Sequence, residues 1–110
     1  MGANLMIAYG MTKEELEEKC QGFDIGIREK VKFLLENGVE TYESCEGGEG
    51  HCFPKPTIRF HGSRAEGFRA LAVALQSDLK VAELKRIWII NDGEPTGAWW
   101  EMTFTPTKQD

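Results

Sequence analysis

Arg86-Ile87-Trp88-Ile89-Ile90-Asn91, Asp92-Gly93-Glu94-Pro95-Thr96-Gly97 and Ala98-Trp99-Trp100-Glu101-Met102-Thr103-Phe104-Thr105 follow one another near the end of the chain. The outer segments are rich in β-branched and aromatic residues, which suit a pleated sheet, and the middle one is rich in turn formers. The reading is a β-hairpin with 92–97 as its loop. Along the first strand Trp88 and Ile90 share one face and Ile87 and Ile89 the other. On the second, Trp99 lies opposite Trp100, Met102 and Phe104. Both faces of the hairpin are therefore apolar, and one helical layer covers only one of them. Either the N-terminal segment packs over the second face, or that face is a subunit or partner interface. The second option predicts a homodimer built on the Ala98–Thr105 strand, with Trp88, Trp99 and Trp100 at the contact.

Working outward, Val39–Cys45 and Thr57–Phe60 read as two more strands. The connection between them, about eleven residues, is short for a parallel crossover, so they pair antiparallel. Ser63 with Glu66 forms a capping box that opens a helix through Gln76, with Phe68, Leu71, Ala72 and Leu75 facing inward. Upstream, Leu5–Tyr9 reads as a short strand. Thr12 with Glu15 caps a short helix that ends before Gly22, and Asp24 is the next N-cap. Ile27, Val31, Leu34 and Leu35 then recur on one face of a helix over 25–37, which Gly38 closes. The predicted fold is α+β in the order α-α-β-β-α-β-β, a four-stranded mixed sheet with helices on one face. The chain forms a single domain (1–110), with an N-terminal extension and short helix (1–22) ahead of a core (23–105).

Composition narrows the function. The 110 residues carry 41% hydrophobic and 28% charged side chains, ordinary for a folded domain. Their net charge of −5 argues against non-specific nucleic-acid binding, which needs a basic face. No apolar run reaches the roughly 20 residues of a membrane span. The first ten residues lack a signal-like basic flank and apolar core, so a cytoplasmic setting is expected. Three cysteines, Cys20, Cys45 and Cys52, then read as reduced thiols.

The segment built for more than folding is Ser44-Cys45-Glu46-Gly47-Gly48-Glu49-Gly50-His51-Cys52. It sets a thiol at a strand's end and an imidazole six positions on, among glycines and carboxylates. Catalysis would pair Cys45 with His51, although Glu43, Glu46 and Glu49 oppose a thiolate. A metal would take Cys45, His51 and Cys52. That spacing matches no common zinc knuckle, and His61 falls roughly 15–20 Å from Cys45 at about 3.3 Å per residue. The expectation is therefore no metal and no cofactor. An anionic or nucleotide-like ligand could use the loop's backbone donors at Gly48. It could instead use the helix start at His61-Gly62-Ser63-Arg64, with Arg59 on the same strand face as His61. A purely structural reading makes the loop a solvated turn with Cys45 and Cys52 as small buried residues.

Several motifs resemble those of a group of short phage and prophage proteins. They are Gly22-Phe23-Asp24, Thr41-Tyr42-Glu43-Ser44-Cys45-Glu46-Gly47-Gly48 with Gly50-His51, Pro56 to Gly62, Gly67 to Leu71, Asp92 to Gly97, and Trp100 to Phe104. Ser44-Cys45-Glu46-Gly47 is also similar, over a few residues, to Ser-Cys-x-Gly loops of a tRNA wybutosine-synthesis family. The phage resemblance implies a small accessory protein in the cytoplasm of a bacterial host cell. It implies a binding function against a host defence system, through a host protein in the manner of an anti-CRISPR inhibitor or by sequestering a nucleotide-like signal. Ser44, Cys45, Glu46, Gly48, His51, Arg59, His61 and Arg64 are the binding candidates. The alternative is a small enzyme or zinc protein centred on Cys45 and His51.

Overall fold

The structure, a computed structural model, describes residues 6–106. Thr12 begins α1 (Lys13–Cys20): its hydroxyl accepts from the Glu15 amide at 3.1 Å and the Glu15 carboxylate accepts from the Thr12 amide at 2.9 Å. This reciprocal box satisfies donors that the first turn leaves unpaired. Leu16 and Cys20 are the buried residues of this short helix. The second helix, α2 (Arg28–Glu36), has Ile27 just before it, and Ile27, Val31, Leu34 and Leu35 are fully buried as their spacing predicts. It ends in a Schellman turn, with Val39 N–H donating to Leu34 O and Gly38 N–H to Leu35 O. Gly38 sits at φ +83°, a conformation that disfavours any side chain.

Strands β1 (Thr41–Cys45) and β2 (Thr57–Phe60) pair antiparallel, Cys45 opposite Thr57. Helix α3 (Arg64–Gln76) follows, then β3 (Val81–Asn91) and β4 (Glu94–Phe104). The sheet order is β1-β2-β4-β3. All three pairings are antiparallel, so the sheet is not mixed. β2 and β3 run the same way with β4 inserted between them, and α3 makes the crossover. The α+β class and the element order agree with the sequence reading; among the described residues no helix is long and apolar enough to cross a membrane.

Four local expectations need correction. Ala8–Gly10 forms a 3₁₀ turn where a strand was expected, and Leu5, the start of that strand, lies outside the described residues. Asp24 does not cap α2, because its carboxylate accepts from the Glu46 amide instead. At α3 only half of the box forms: Ser63 Oγ accepts from the Glu66 amide, while the Glu66 carboxylate turns to Arg69. The C-terminal hairpin turns in two residues, Asp92 (φ 54°) and Gly93 (φ 80°), with Asn91 opposite Glu94. Two successive positive φ values match the twist of the flanking strands, so 94–97 belongs to β4 rather than to a loop.

The core forms on one sheet face, where Ile58, Phe60, Trp100, Met102 and Phe104 meet the inner sides of the helices. α3 packs there through Gly67, Ala70 and Ala74, and leaves the expected core residues Phe68 and Leu75 exposed. The small residues bring its backbone so close that a Cβ on Gly67 would lie 2.2 Å from the Trp100 ring. Ala8, Leu16 and Cys20 add to this same core, so the described part of the N-terminal segment packs on this side rather than over the opposite face. On that face the β1–β2 connection returns toward the lower half, where the Arg59 guanidinium lies over the Phe53 ring. The upper half carries Tyr42, His61 and Trp99, with ring centroids 4.6–5.5 Å apart.

Candidate functional site

The glycine-rich connection folds back on itself. Gly48 N–H reaches the carbonyls of Phe53 (3.2 Å) and Pro54 (3.1 Å), and Gly48 O accepts from His51 N–H (3.1 Å). Gly47 adopts φ +82°, and a Cβ there would lie 2.3 Å from the Lys55 carbonyl carbon, so only glycine fits. This tight return carries His51 back toward Cys45.

Asp24, Cys45 and His51 thereby come together, each offering one donor atom, with all three atoms within 4.8 Å of one another. Three separate segments supply them: the α1–α2 turn, the end of β1 and the loop. Glu46 ties the cluster together. Its Oε1 accepts from the Gly26 amide at 2.7 Å and its Oε2 lies 3.3 Å from His51 Nε2. His51 Nδ1 lies 3.9 Å from Asp24 Oδ2. Cys45 is buried, and its Sγ accepts from Gly47 N–H at 3.4 Å. Beside the cluster, Gly26, Glu46, Gly47, Gly48, Pro54, Pro56 and Pro106 line a cavity of about 460 Å³.

The structure divides the predicted binding residues. Cys45, Glu46 and His51 sit together, with half-buried Ser44 just before them and exposed Gly48 in the loop. Cys52, the third metal candidate, is exposed and outside the cluster. The sequence reading missed Asp24. Gly22-Phe23-Asp24 was on view, but an acidic residue before a helical stripe reads first as a cap.

Arg59 is not a free anion receptor. Its guanidinium bonds Glu101 at 3.0 Å and Glu43 at 3.3 Å. Burial works against its charge, but the Glu101 hydrogen bond together with the nearby charges of Glu101 and Glu43 raises its pKa above the ordinary value. Burial also raises the Tyr42 phenol above its ordinary value. At the α3 start, Glu40 and Glu66 line a cavity with His61, Gly62, Ser63 and Arg69. Arg69 there is held by Glu66 (2.6 and 2.9 Å) and by the Asn37 and Gly38 carbonyls. Arg64 is exposed, whereas the His61 ring belongs to the Tyr42–Trp99 cluster. An anion would meet carboxylates at both proposed positions.

The three tryptophans part company as well. Trp100 is 4% exposed and its indole donates to the Gly62 (3.2 Å) and Ser63 (3.0 Å) carbonyls, so it belongs to the core and not to an interface. Trp99 is half-buried and Trp88 is 58% exposed. β4 is flanked by β2 and β3 only along Trp100–Thr103, so that stretch has no free edge on which a second copy could pair. The edge strands of the sheet are β1 and β3. Beyond the last β2–β4 pair (Phe60 with Trp100), β3 and β4 continue as a two-stranded arm out to Asn91 and Glu94. Trp88, Ile89 (42% exposed) and Ile90 (62%) lie on that arm.

Compared with family models, curated proteins and solved structures, the chain matches none of them.

Proposed function

We propose that this protein is a binding protein rather than an enzyme, and that it works by engaging another protein through the β3–β4 arm. The observation that carries this reading is the arm's construction. Single exposed apolar residues are ordinary, but Trp88, Ile89 and Ile90 stand consecutively on the open edge of an 11-residue strand. A bare edge presents unpaired backbone donors and acceptors, and natural proteins blunt such edges with charge, proline or a covering element. Among the described residues the outer part of β3 has none of these: its charged residues Glu83, Lys85 and Arg86 all precede Ile87. An extended segment of a partner would add a strand there. Main-chain hydrogen bonds would supply affinity, and Trp88 and Ile90 on one face would supply selectivity.

A protein partner suits the molecule better than a nucleotide-like ligand, because Glu40 and Glu66 at the helix start and Asp24 and Glu46 at the loop repel phosphate. The phage resemblance makes a component of a bacterial defence system the class of partner, in the host cytoplasm. The test is site-specific photocrosslinking in bacterial cells, with the crosslinker at position 90 and, as control, at Ile25, which is exposed on the α1–α2 turn. The expected result is a discrete heteromeric adduct from position 90 that Trp88→Ala diminishes and that position 25 does not give. Equal labelling from both positions would overturn the reading. An adduct of twice the chain mass would replace the foreign partner with a second copy.

A further inference from the structure

We infer that Asp24, Cys45 and His51 form a binding site for zinc(II), a property separate from the arm and independent of the binding role proposed for it. The donor set carries the choice of metal. A thiolate, an imidazole and a carboxylate are the ligand types zinc takes, at about 2.0–2.3 Å each. Calcium and magnesium require oxygen ligands throughout, so a thiol in the set excludes them.

The geometry accommodates a small ion. Those bond lengths at tetrahedral angles place ligand atoms about 3.3–3.6 Å apart. The three donor atoms lie within 4.8 Å of one another, and His51 Nδ1 is 3.9 Å from Asp24 Oδ2. Closing on a metal therefore takes a contraction of at most about 1.5 Å. His51 is on an exposed glycine-rich loop and Asp24 on an exposed turn, so neither movement disturbs the core.

Glu46 completes the argument. Metal-bound histidines usually donate their second ring N–H to a carboxylate, which fixes the tautomer and the ring plane. Here Glu46 Oε2 is 3.3 Å from Nε2, the nitrogen that zinc would not use, and Gly26 N–H anchors Oε1. Nδ1, on the Asp24 side, is left as the ligand. Glu46 is a positioning residue. Three protein ligands leave a fourth position for water or a small exogenous donor.

The sequence reading expected no metal and named Cys52 beside Cys45 and His51 only as the ligand set if one bound; the fold brings Asp24 to them instead. Bound zinc would pin the β1–β2 loop to the α1–α2 turn. The helix–sheet core, which contains none of the three ligands, folds without it.

Cobalt(II) titration of the reduced full-length chain tests this, because a cobalt–thiolate bond produces an intense charge-transfer band. The expected result is a band saturating at one cobalt per chain and displaced by one equivalent of zinc(II). Cys45→Ser should abolish it, while Cys52→Ser and Cys20→Ser should retain it. His51→Gln and Asp24→Asn, both at exposed positions, should weaken cobalt binding at least tenfold with unchanged melting of the apo protein. Glu46→Gln should weaken it by about 10–100-fold. Absence of the band at tenfold cobalt would overturn the inference. So would a band that survives Cys45→Ser, or one unaffected by His51→Gln.

Discussion

Replacing Gly67 with alanine probes the contact that seats α3 on the sheet. The added Cβ would sit 2.2 Å from Trp100 Cε2 and Cζ2. An ordinary carbon–carbon contact is about 3.5–4.0 Å, so helix and ring must separate by more than about 1 Å. Trp100 has little room to yield: it is 4% exposed, stacked on Phe60 at 6.3 Å, and bonded through Nε1 to the Gly62 and Ser63 carbonyls. Overpacking of this kind costs about 1–3 kcal/mol, and a lost indole hydrogen bond adds about 0.5–1.5 kcal/mol. Against this, alanine favours the helix over glycine by about 1 kcal/mol. The net expectation is a loss of about 1–3 kcal/mol, or a fall in Tm of roughly 5–20 °C for a domain of this size. The assay is thermal and urea denaturation of Gly67→Ala, Trp100→Leu and the double variant. If the clash is the cause, removing the ring relieves it, and the double variant is more stable than the summed single effects predict by at least about 1 kcal/mol. Additive effects, or a raised Tm in Gly67→Ala, would refute the reasoning.

Gly47→Ala should break the loop rather than the core, since its Cβ would meet the Lys55 backbone at 2.3 Å and its φ is +82°. Limited proteolysis should then show faster cutting within 46–56, with no comparable change in α2 or α3. Both tyrosines, Tyr9 and Tyr42, have raised pKa values caused first by burial. An acid whose folded pKa is raised keeps its contribution to stability below its unfolded pKa, about 10, and loses it as pH rises through the folded value. Spectrophotometric titration should therefore show native phenolates forming above pH 10, later than in guanidinium, with stability falling over the same range. Phenolates that ionise at the same pH in both states would contradict the burial.

Elements defined by periodicity or punctuation were legible in the sequence. The Ile27-Val31-Leu34-Leu35 stripe and Gly38 yielded α2, Ser63 yielded the start of α3, and Thr57–Phe60 yielded β2 to the residue. The inner face of α3 was not legible, because apolar size is a poor guide where close approach selects Gly67, Ala70 and Ala74 over Phe68 and Leu75. The first part of β3, 81–85, was hidden by Glu83 and Lys85, which are acceptable on a strand open to solvent. At the site, Cys45, Glu46 and His51 stood out because a glycine-rich loop with reactive groups exceeds what a connection needs. Asp24 did not, because its role depends on a tertiary contact 20 residues and more away.

The central claim is that nothing among the described residues covers the β3–β4 arm, which leaves it for a partner. A two-stranded ribbon alone is marginally stable in water, and such regions open at a small fraction of the global free energy. Native-state hydrogen exchange on the dilute full-length chain measures this directly. The account predicts fast exchange over 88–97, beyond the last β2–β4 pair, and strong protection at Ile58, Phe60, Met102 and Phe104 in the same molecule. Arm amides as protected as those of the core strands, at a concentration where the chain is monomeric, would contradict it.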